Sequence, residues 1–318
     1  MLEFGYITLM IKRFFVSLLK SILNHNVGAL AAIIAFFGFS SLLPVLALLM
    51  FVAMLIVPET FVDTFVRHVL QSYVPVLPSG QSFALNTVEH LVTFRTHLRI
   101  ISMVGVFWSS VGGFLTLQRI LDTIYEVRKR RSFLKQYVFG FVMLGILLAI
   151  LFASSAVSAV APMVLTLFIP RGLSNALVLP VIHGVAKATF ALILFVTCFC
   201  CYWILPSRKL RVTSTLVGAL FSTVIIYVSR SLFVIYTHHL GNYELMYGAM
   251  TFVMLLTFWI YIACVIFLIG AEVAVSFNSL LDEMGSRQKR SRLSSQHASH
   301  HVPSRPRAFG WPLRKRQP

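Results

Sequence analysis

The sequence predicts an all-α membrane protein, a bundle of six transmembrane helices followed by a disordered, basic cytoplasmic tail. Hydrophobic residues make up 58% of the chain and charged residues only 12%, whereas a soluble domain is about 25% charged. Apolar runs of about 20 residues, the length that crosses a bilayer, recur along the chain. Most of the 27 Lys and Arg residues stand between or after these runs. The pattern excludes an ordinary soluble fold.

The first 26 residues precede the apolar runs. Leu9 to Leu23 has apolar residues at roughly helical spacing with cations between them, which is typical of a helix lying on a membrane surface. We therefore expect residues 1–26 to form a cytoplasmic amphipathic segment. The apolar run that follows far exceeds the roughly 7 to 15 residues of a signal-peptide core, so cleavage is not expected.

Residues 27–278 are predicted to form the transmembrane domain. Because backbone polar groups in lipid must be paired within their own segment, each long apolar run is predicted to be a helix. Pro162, Pro170 and Pro180 leave the boundaries of the third and fourth helices open, since proline interrupts helices. The predicted spans are Val27–Val57, Leu98–Gln118, Tyr137–Ala161, Ala176–Leu205, Val212–Thr237 and Tyr247–Phe277.

The distribution of cations predicts the orientation. With a cytoplasmic N-terminus, the cytoplasmic segments hold 21 of the 27 Lys and Arg residues, and the outer segments hold 4 when Arg99, at the outer end of the second span, is counted with them. Positive charge resists translocation, so both termini are expected in the cytoplasm. The long connection at residues 58–97 then becomes a periplasmic loop, with turn signals at Pro75, Pro78 and Gly80.

Beyond residue 278 the composition changes. Residues 279–318 are rich in Ser, Arg, His and Pro and carry too little apolar surface to offset the entropy of ordering. This segment is predicted to be a disordered, basic cytoplasmic tail. Its cations and those at Arg128–Arg131 either fix the topology alone or also bind anionic lipids of the inner leaflet. Nucleic acid is not expected as a partner, because interleaved aromatic residues are missing.

Several motifs resemble one family of membrane proteins. The first run contains AFFGFSSLLPVL, the second contains FWSSVGGFLTLQRILDTIYEV, and the C-terminal half contains YWILPSRKLR, VGAL, SLFVIY and YGAMTFVMLLTFWIYIACVIFLIGAEV. Together they resemble the YihY/BrkB (virulence factor BrkB) family, once labelled ribonuclease BN. Asp122 departs from the pattern, which has Asn there, and the basic tail lies outside it.

The resemblance implies a six-helix protein of the bacterial inner membrane that transports a small solute or lipid. Enzymatic activity is not expected, because the residues offer no support for it. The alternative is a non-transporting scaffold protein that maintains envelope integrity. No catalytic, cofactor-binding or metal-binding residues are predicted, because the residues show no convergent acid–base or ligand spacing. The four cysteines all lie in apolar runs, where thiols pack as small residues.

The candidate site residues are ionisable groups inside the apolar runs. His183 and Lys187 stand four apart on one predicted helix face and, with Arg230, are expected either to line a cavity for a small anionic solute or to extend toward the outer membrane surface. Glu272 is expected to pair with a cation at the cytoplasmic helix ends: Arg119, Arg208, Lys209 or Arg211. Pro44 is expected to kink the first span, with Ser40 and Ser41 satisfying freed carbonyls.

Overall fold

The structure is a computed structural model that describes residues 2–56, 99–168, 175–239 and 249–300. Within these ranges the chain is helical and contains no strand. The helices are α1 (Leu2–Asn24), α2 (Val27–Ile56), α3 (Arg99–Ile124), α4 (Phe133–Phe168), α5 (Asn175–Ile204), α6 (Val212–His239) and α7 (Ala249–His300). The predicted all-α fold is confirmed for the described residues, and the predicted periplasmic loop at 58–97 lies entirely outside them.

A sharp break separates α1 from α2. Asn26 has a positive φ of 49°, a left-handed conformation that asparagine tolerates better than most residues. Its carbonyl accepts the backbone N–H of Ala29 and of Leu30, at 2.9 and 3.1 Å, and so starts the new helix. Phe14–Asn24 and Val27–Leu42 meet at 57°. Helix α1 therefore runs in a different direction from α2, which contains the first apolar run.

Several helices are suited to a membrane. Phe133–Ser154, Val212–Thr237 and Val253–Ser286 are each long and apolar enough to cross one, and the bent pair of α1 and α2 would add a fourth span if counted as one. In α5 the apolar stretch Ala188–Ile204 is too short to count among them. In the part of the chain that the structure describes, the fold is thus all-helical with three or four candidate spans, and the count of six stays a prediction.

The interior joins residues from most of the helices. Helix α3 packs against α2 and α4, and α5 packs against α4 and α6. Tyr125, Tyr202 and Leu268 are among the largest fully buried side chains and belong to one apolar cluster together with Trp259. The same cluster includes Ile34 of α2 and Ile226 of α6, so the core lies between α2, α3, α5, α6 and α7.

Helices α6 and α7 cross at small residues. A Cβ added at Gly218 would lie 2.6 Å from the carbonyl oxygen of Gly270 and 2.7 Å from the Cβ of Ala274. A Cβ at Gly270 would overlap the Ser222 hydroxyl. Small residues at this crossing therefore let the two helix backbones approach closely.

The last helix continues to His300, so residues 279–300 are helical where disorder was predicted. Extending an existing helix avoids the cost of nucleation, and the Glu, Met, Arg, Gln and Lys residues there are good helix formers. By its internal contacts the chain divides into two units, residues 1–278 and residues 279–318.

Candidate functional site

Glu272 lies at the centre of a buried polar cluster. Its side chain on α7 is 0% exposed. One carboxylate oxygen accepts the hydroxyl of Ser21 at 2.8 Å, and the other lies 2.5 Å from Nδ1 of His25. Ser21 is in the last turn of α1, and His25 is in the break before α2. The cluster therefore ties α1 to α7.

The expected partners of Glu272 were wrong. A partner for this carboxylate was predicted, but Ser21 and His25 supply it instead of Arg119, Arg208, Lys209 or Arg211. The sequence suggested a separate surface role for α1, whereas α1 reaches the buried side of α7. An imidazole and a hydroxyl are shorter than an arginine, and they suit a carboxylate enclosed by tightly packed helices.

A second polar cluster joins two loops. Asp122, only 2% exposed at the end of α3, accepts the backbone N–H of Ser207 at 2.7 Å and its hydroxyl at 2.9 Å. The Tyr125 hydroxyl donates to the carbonyl of Tyr202 at 3.2 Å. These bonds hold the α3–α4 loop against the α5–α6 loop. An Asn at position 122, as in the pattern that the sequence resembles, can also make two bonds to Ser207, because its amide oxygen accepts the backbone N–H and its amide N–H donates to the hydroxyl oxygen.

Arg131 closes the C-terminal end of α5. Its guanidinium donates to the carbonyls of Leu205 at 3.1 Å and Pro206 at 2.9 Å, with longer bonds to Ile204, and lies 3.7 Å from the ring centroid of Phe139. A cation there satisfies terminal carbonyls and complements the helix dipole. Partial burial lowers the pKa of Arg131, and the nearby charge of Asp122 opposes this shift.

The α3–α4 loop is shaped by the end of α3. Glu126 has a positive φ of 49°, while Val127 N–H bonds to the Asp122 carbonyl at 3.0 Å and Glu126 N–H to the Thr123 carbonyl at 3.1 Å. This pair of bonds is the Schellman motif that ends many helices. It turns the chain so that Arg128, Lys129 and Arg130 are exposed.

Arg230 has an aromatic neighbour. The guanidinium of this half-buried residue on α6 lies 4.6 Å from the ring centroid of Phe190 on α5, an attractive cation–π geometry. Lys187 and His183 precede Phe190 by about one and two turns of the same helix. Their side chains lie outside the described part of the structure, so the expected cavity of these three residues stays a prediction.

Pro44 lies inside α2, which continues to Ile56. The Ser40 hydroxyl donates to the carbonyl of Phe36 at 2.8 Å, and the Ser41 hydroxyl to that of Gly38 at 3.1 Å. Pro44 frees the carbonyl of Ser40, and the two hydroxyls bond carbonyls four and two residues before it, so the predicted satisfaction of the freed carbonyl was wrong. The predicted kink itself stays a prediction.

Gln118 is a residue that the sequence interpretation missed. Its side chain is 1% exposed, and neither its amide oxygen nor its amide nitrogen has a hydrogen-bond partner. It stands one helical turn before Asp122 on the buried side of α3. Its spacing of four from Asp122 is a signal that could have identified it.

Tyr202 links three helices through its hydroxyl. It donates to the carbonyl of Phe267 on α7 at 2.5 Å, and it lies 2.7 Å from the hydroxyl of Ser222 on α6. Since a tyrosine has one hydroxyl proton, Ser222 is the donor of the second bond.

Among the described residues, no group of three His, Cys, Asp or Glu side chains has a metal-binding arrangement.

Comparisons with known proteins match most of the chain. The family described as Virulence factor BrkB matches residues 18–293. A "UPF0761 membrane protein" of Chlorobium chlorochromatii is 26% identical over 79% of this chain and 56% of its own length. Another, of Chlorobium phaeobacteroides, is 26% identical over 86% of this chain and 59% of its own length. The chain thus spans less than two thirds of these relatives. No solved structure matches it.

Proposed function

Because the chain belongs to the Virulence factor BrkB family, we propose that it is a bacterial inner-membrane protein that transports a small polar solute or lipid. In this proposal six helices span the membrane, both termini are cytoplasmic, and the protein catalyses no chemical reaction. The cation distribution in the sequence supports the orientation.

One observation carries the transport proposal, namely the buried amide of Gln118. An amide buried without hydrogen bonds costs about 1–3 kcal/mol, and polar groups inside membrane helices are characteristic of substrate pathways. Both polar atoms of Gln118 are free to bond a passing polar group. Arg230, with His183 and Lys187, would supply positive charge for an anionic solute nearer the outer end of the pathway.

Gln136 offers a matched control for testing this role. It is also buried, but its amide donates to the Arg131 carbonyl at 3.0 Å. In reconstituted vesicles, wild-type protein is tested with a panel of small anionic and neutral solutes and with fluorescent phospholipids. We expect Gln118→Leu to reduce transport at least tenfold without lowering the melting temperature. Gln136→Leu should lower the melting temperature and retain transport per folded molecule.

The scaffold alternative is supported by a different observation. At the loop ends, buried polar groups are bonded to one another, as in the pairing of Asp122 with Ser207, which suits a rigid surface for partners. This alternative predicts no transport by wild-type protein for any solute or phospholipid tested. It also predicts that Gln118→Leu maintains envelope integrity as well as wild type, and that Asp122→Ala does not.

A further inference from the structure

Two loops that are far apart in the sequence form one surface. We call residues 125–132 and 205–211 together the two-loop surface. Asp122 holds Ser207 by two bonds, Arg131 bonds three successive carbonyls at the end of α5, and Arg208 reaches the Tyr125 carbonyl at 3.5 Å. Bonds in both directions fix the loops against each other, so their remaining side chains share one face of the protein.

This surface is strongly cationic. Glu126 is the only acidic residue in the two loops. The Asp122 carboxylate beside them is buried against Ser207, so it contributes little to the outer face. The exposed cations are Arg128, Lys129, Arg130, Arg208, Lys209 and Arg211. Such a concentration of positive charge favours an anionic partner.

Apolar side chains border these cations. The Lys209 ammonium lies 5.3 Å from the ring centroid of Trp203, whose side chain is 38% exposed. Phe133 and Leu134, directly after the first loop, are 65% and 75% exposed. Tryptophan and apolar residues beside cations are typical of the membrane–water interface, where both kinds of side chain find partners.

We infer that the two-loop surface binds the phosphate groups of anionic phospholipids, with Trp203, Phe133 and Leu134 entering the adjacent bilayer. Free phosphate could pair with the cations but would leave the apolar side chains in water. The inference rests on the membrane placement in the proposed function and goes beyond it, since the transport proposal requires no lipid site here.

The test measures lipid binding without transport. Purified protein in a neutral detergent is titrated with phosphatidylglycerol, phosphatidylcholine or inorganic phosphate, and the rise in melting temperature gives an apparent affinity. We expect stabilisation by phosphatidylglycerol alone. The inference would be overturned if inorganic phosphate or phosphatidylcholine stabilised the protein as much as phosphatidylglycerol does. It would also be overturned if none of the three stabilised it. A failure to transport would leave this result unaffected.

Charge-removing variants locate the site. The triple variant Arg128→Gln, Lys129→Gln, Arg130→Gln should bind phosphatidylglycerol about 100-fold more weakly, since each cation near an anionic surface contributes about fivefold. The control removes three cations from the tail by Arg287→Gln, Lys289→Gln and Arg290→Gln, and should change the affinity less than about threefold. Equal losses in the two variants would assign the binding to net charge rather than to this surface.

A variant of Asp122 separates geometry from charge. Asp122→Ala removes a negative charge, so simple electrostatics would strengthen binding, whereas loss of the bonds to Ser207 should separate the loops and weaken binding at least fivefold. Asp122→Asn removes the same charge but can still make two bonds to Ser207, one of them with the amide N–H donating to the hydroxyl oxygen, and it should bind at least as well as wild type. Stronger binding by Asp122→Ala than by Asp122→Asn would contradict the role of loop docking.

Discussion

Glu272 shows how one residue determines what must surround it. A carboxylate at the centre of a helix bundle is stable only when charge or hydrogen bonds compensate for lost water. Here the compensation comes from a histidine and a serine rather than from arginine. Removing either His25 or Glu272 therefore leaves the other side chain without its hydrogen-bond partner.

We predict that His25 and Glu272 are energetically coupled. His25→Ala should lower the free energy of unfolding by roughly 3 kcal/mol, because the buried carboxylate keeps only Ser21. Glu272→Gln should also destabilise, while the double variant should cost less than the sum by about 0.5–3 kcal/mol. Unfolding of the detergent-solubilised protein measures each value.

The control for this cycle is Ser40→Ala, which removes an exposed hydroxyl bonded only within its own helix and should change stability little. Strictly additive effects of the His25 and Glu272 variants would refute the coupling.

At the scale of helices, spacing between backbones decides which residues are tolerated. The crossing of α6 and α7 leaves no room at Gly270, where a Cβ would overlap Ser222. Gly145 on α4 is also helical, yet an added Cβ there would meet nothing within 4 Å. Two glycines in similar apolar helices therefore have opposite mutational consequences.

We predict that Gly270→Ala destabilises the protein by about 1–3 kcal/mol or more, since an extra methyl group in a tightly packed site forces the helices apart. Gly145→Ala should instead stabilise it by about 0.5–1 kcal/mol, because alanine restricts the unfolded chain more than glycine does. Melting temperatures of the two variants provide the comparison. A tolerated alanine at Gly270 would mean that the helices cross less closely.

The sequence predicted helices better than it predicted their contacts. The starts of α2 at Val27 and α6 at Val212 were predicted to the residue, because polar residues precede each apolar run. The extension of α7 beyond residue 278 was not predicted. Composition alone does not show that lengthening an existing helix costs less than starting a new one. The pairing of Ser21 with Glu272 spans 251 residues, and no local pattern encodes so distant a contact.

At the scale of the whole molecule, charge and membrane orientation are linked. We predict that reporter domains fused at Pro78 and Gly241 lie in the periplasm, and that those fused at Arg130, Lys209 and Arg305 lie in the cytoplasm, because cations resist translocation. Paired alkaline phosphatase and fluorescent-protein fusions make the measurement, since each is active on one side only. A cytoplasmic result at Gly241 would exclude six spans.

We also predict that truncation after Asp282 leaves membrane insertion and thermal stability close to wild type. Residues 279–318 form their own unit, and the truncation retains Asn278, whose side chain accepts the Arg211 backbone N–H at 3.3 Å. Membrane abundance and melting temperature test this expectation. Truncation after Ala271 is the contrasting variant, because it removes Glu272 and should leave the protein unstable.

The bond between α1 and α7 also has a consequence for biosynthesis. A chain is made from its N-terminus, so Ser21 and His25 leave the ribosome long before their acceptor at position 272 exists. During that interval α1 lacks the carboxylate that holds it in the finished protein. Resistance of α1 to proteolysis should therefore appear late in synthesis, only after α7 has been inserted. A chain arrested before Glu272 is made should therefore have a protease-sensitive α1, whereas a chain that includes an inserted α7 should not.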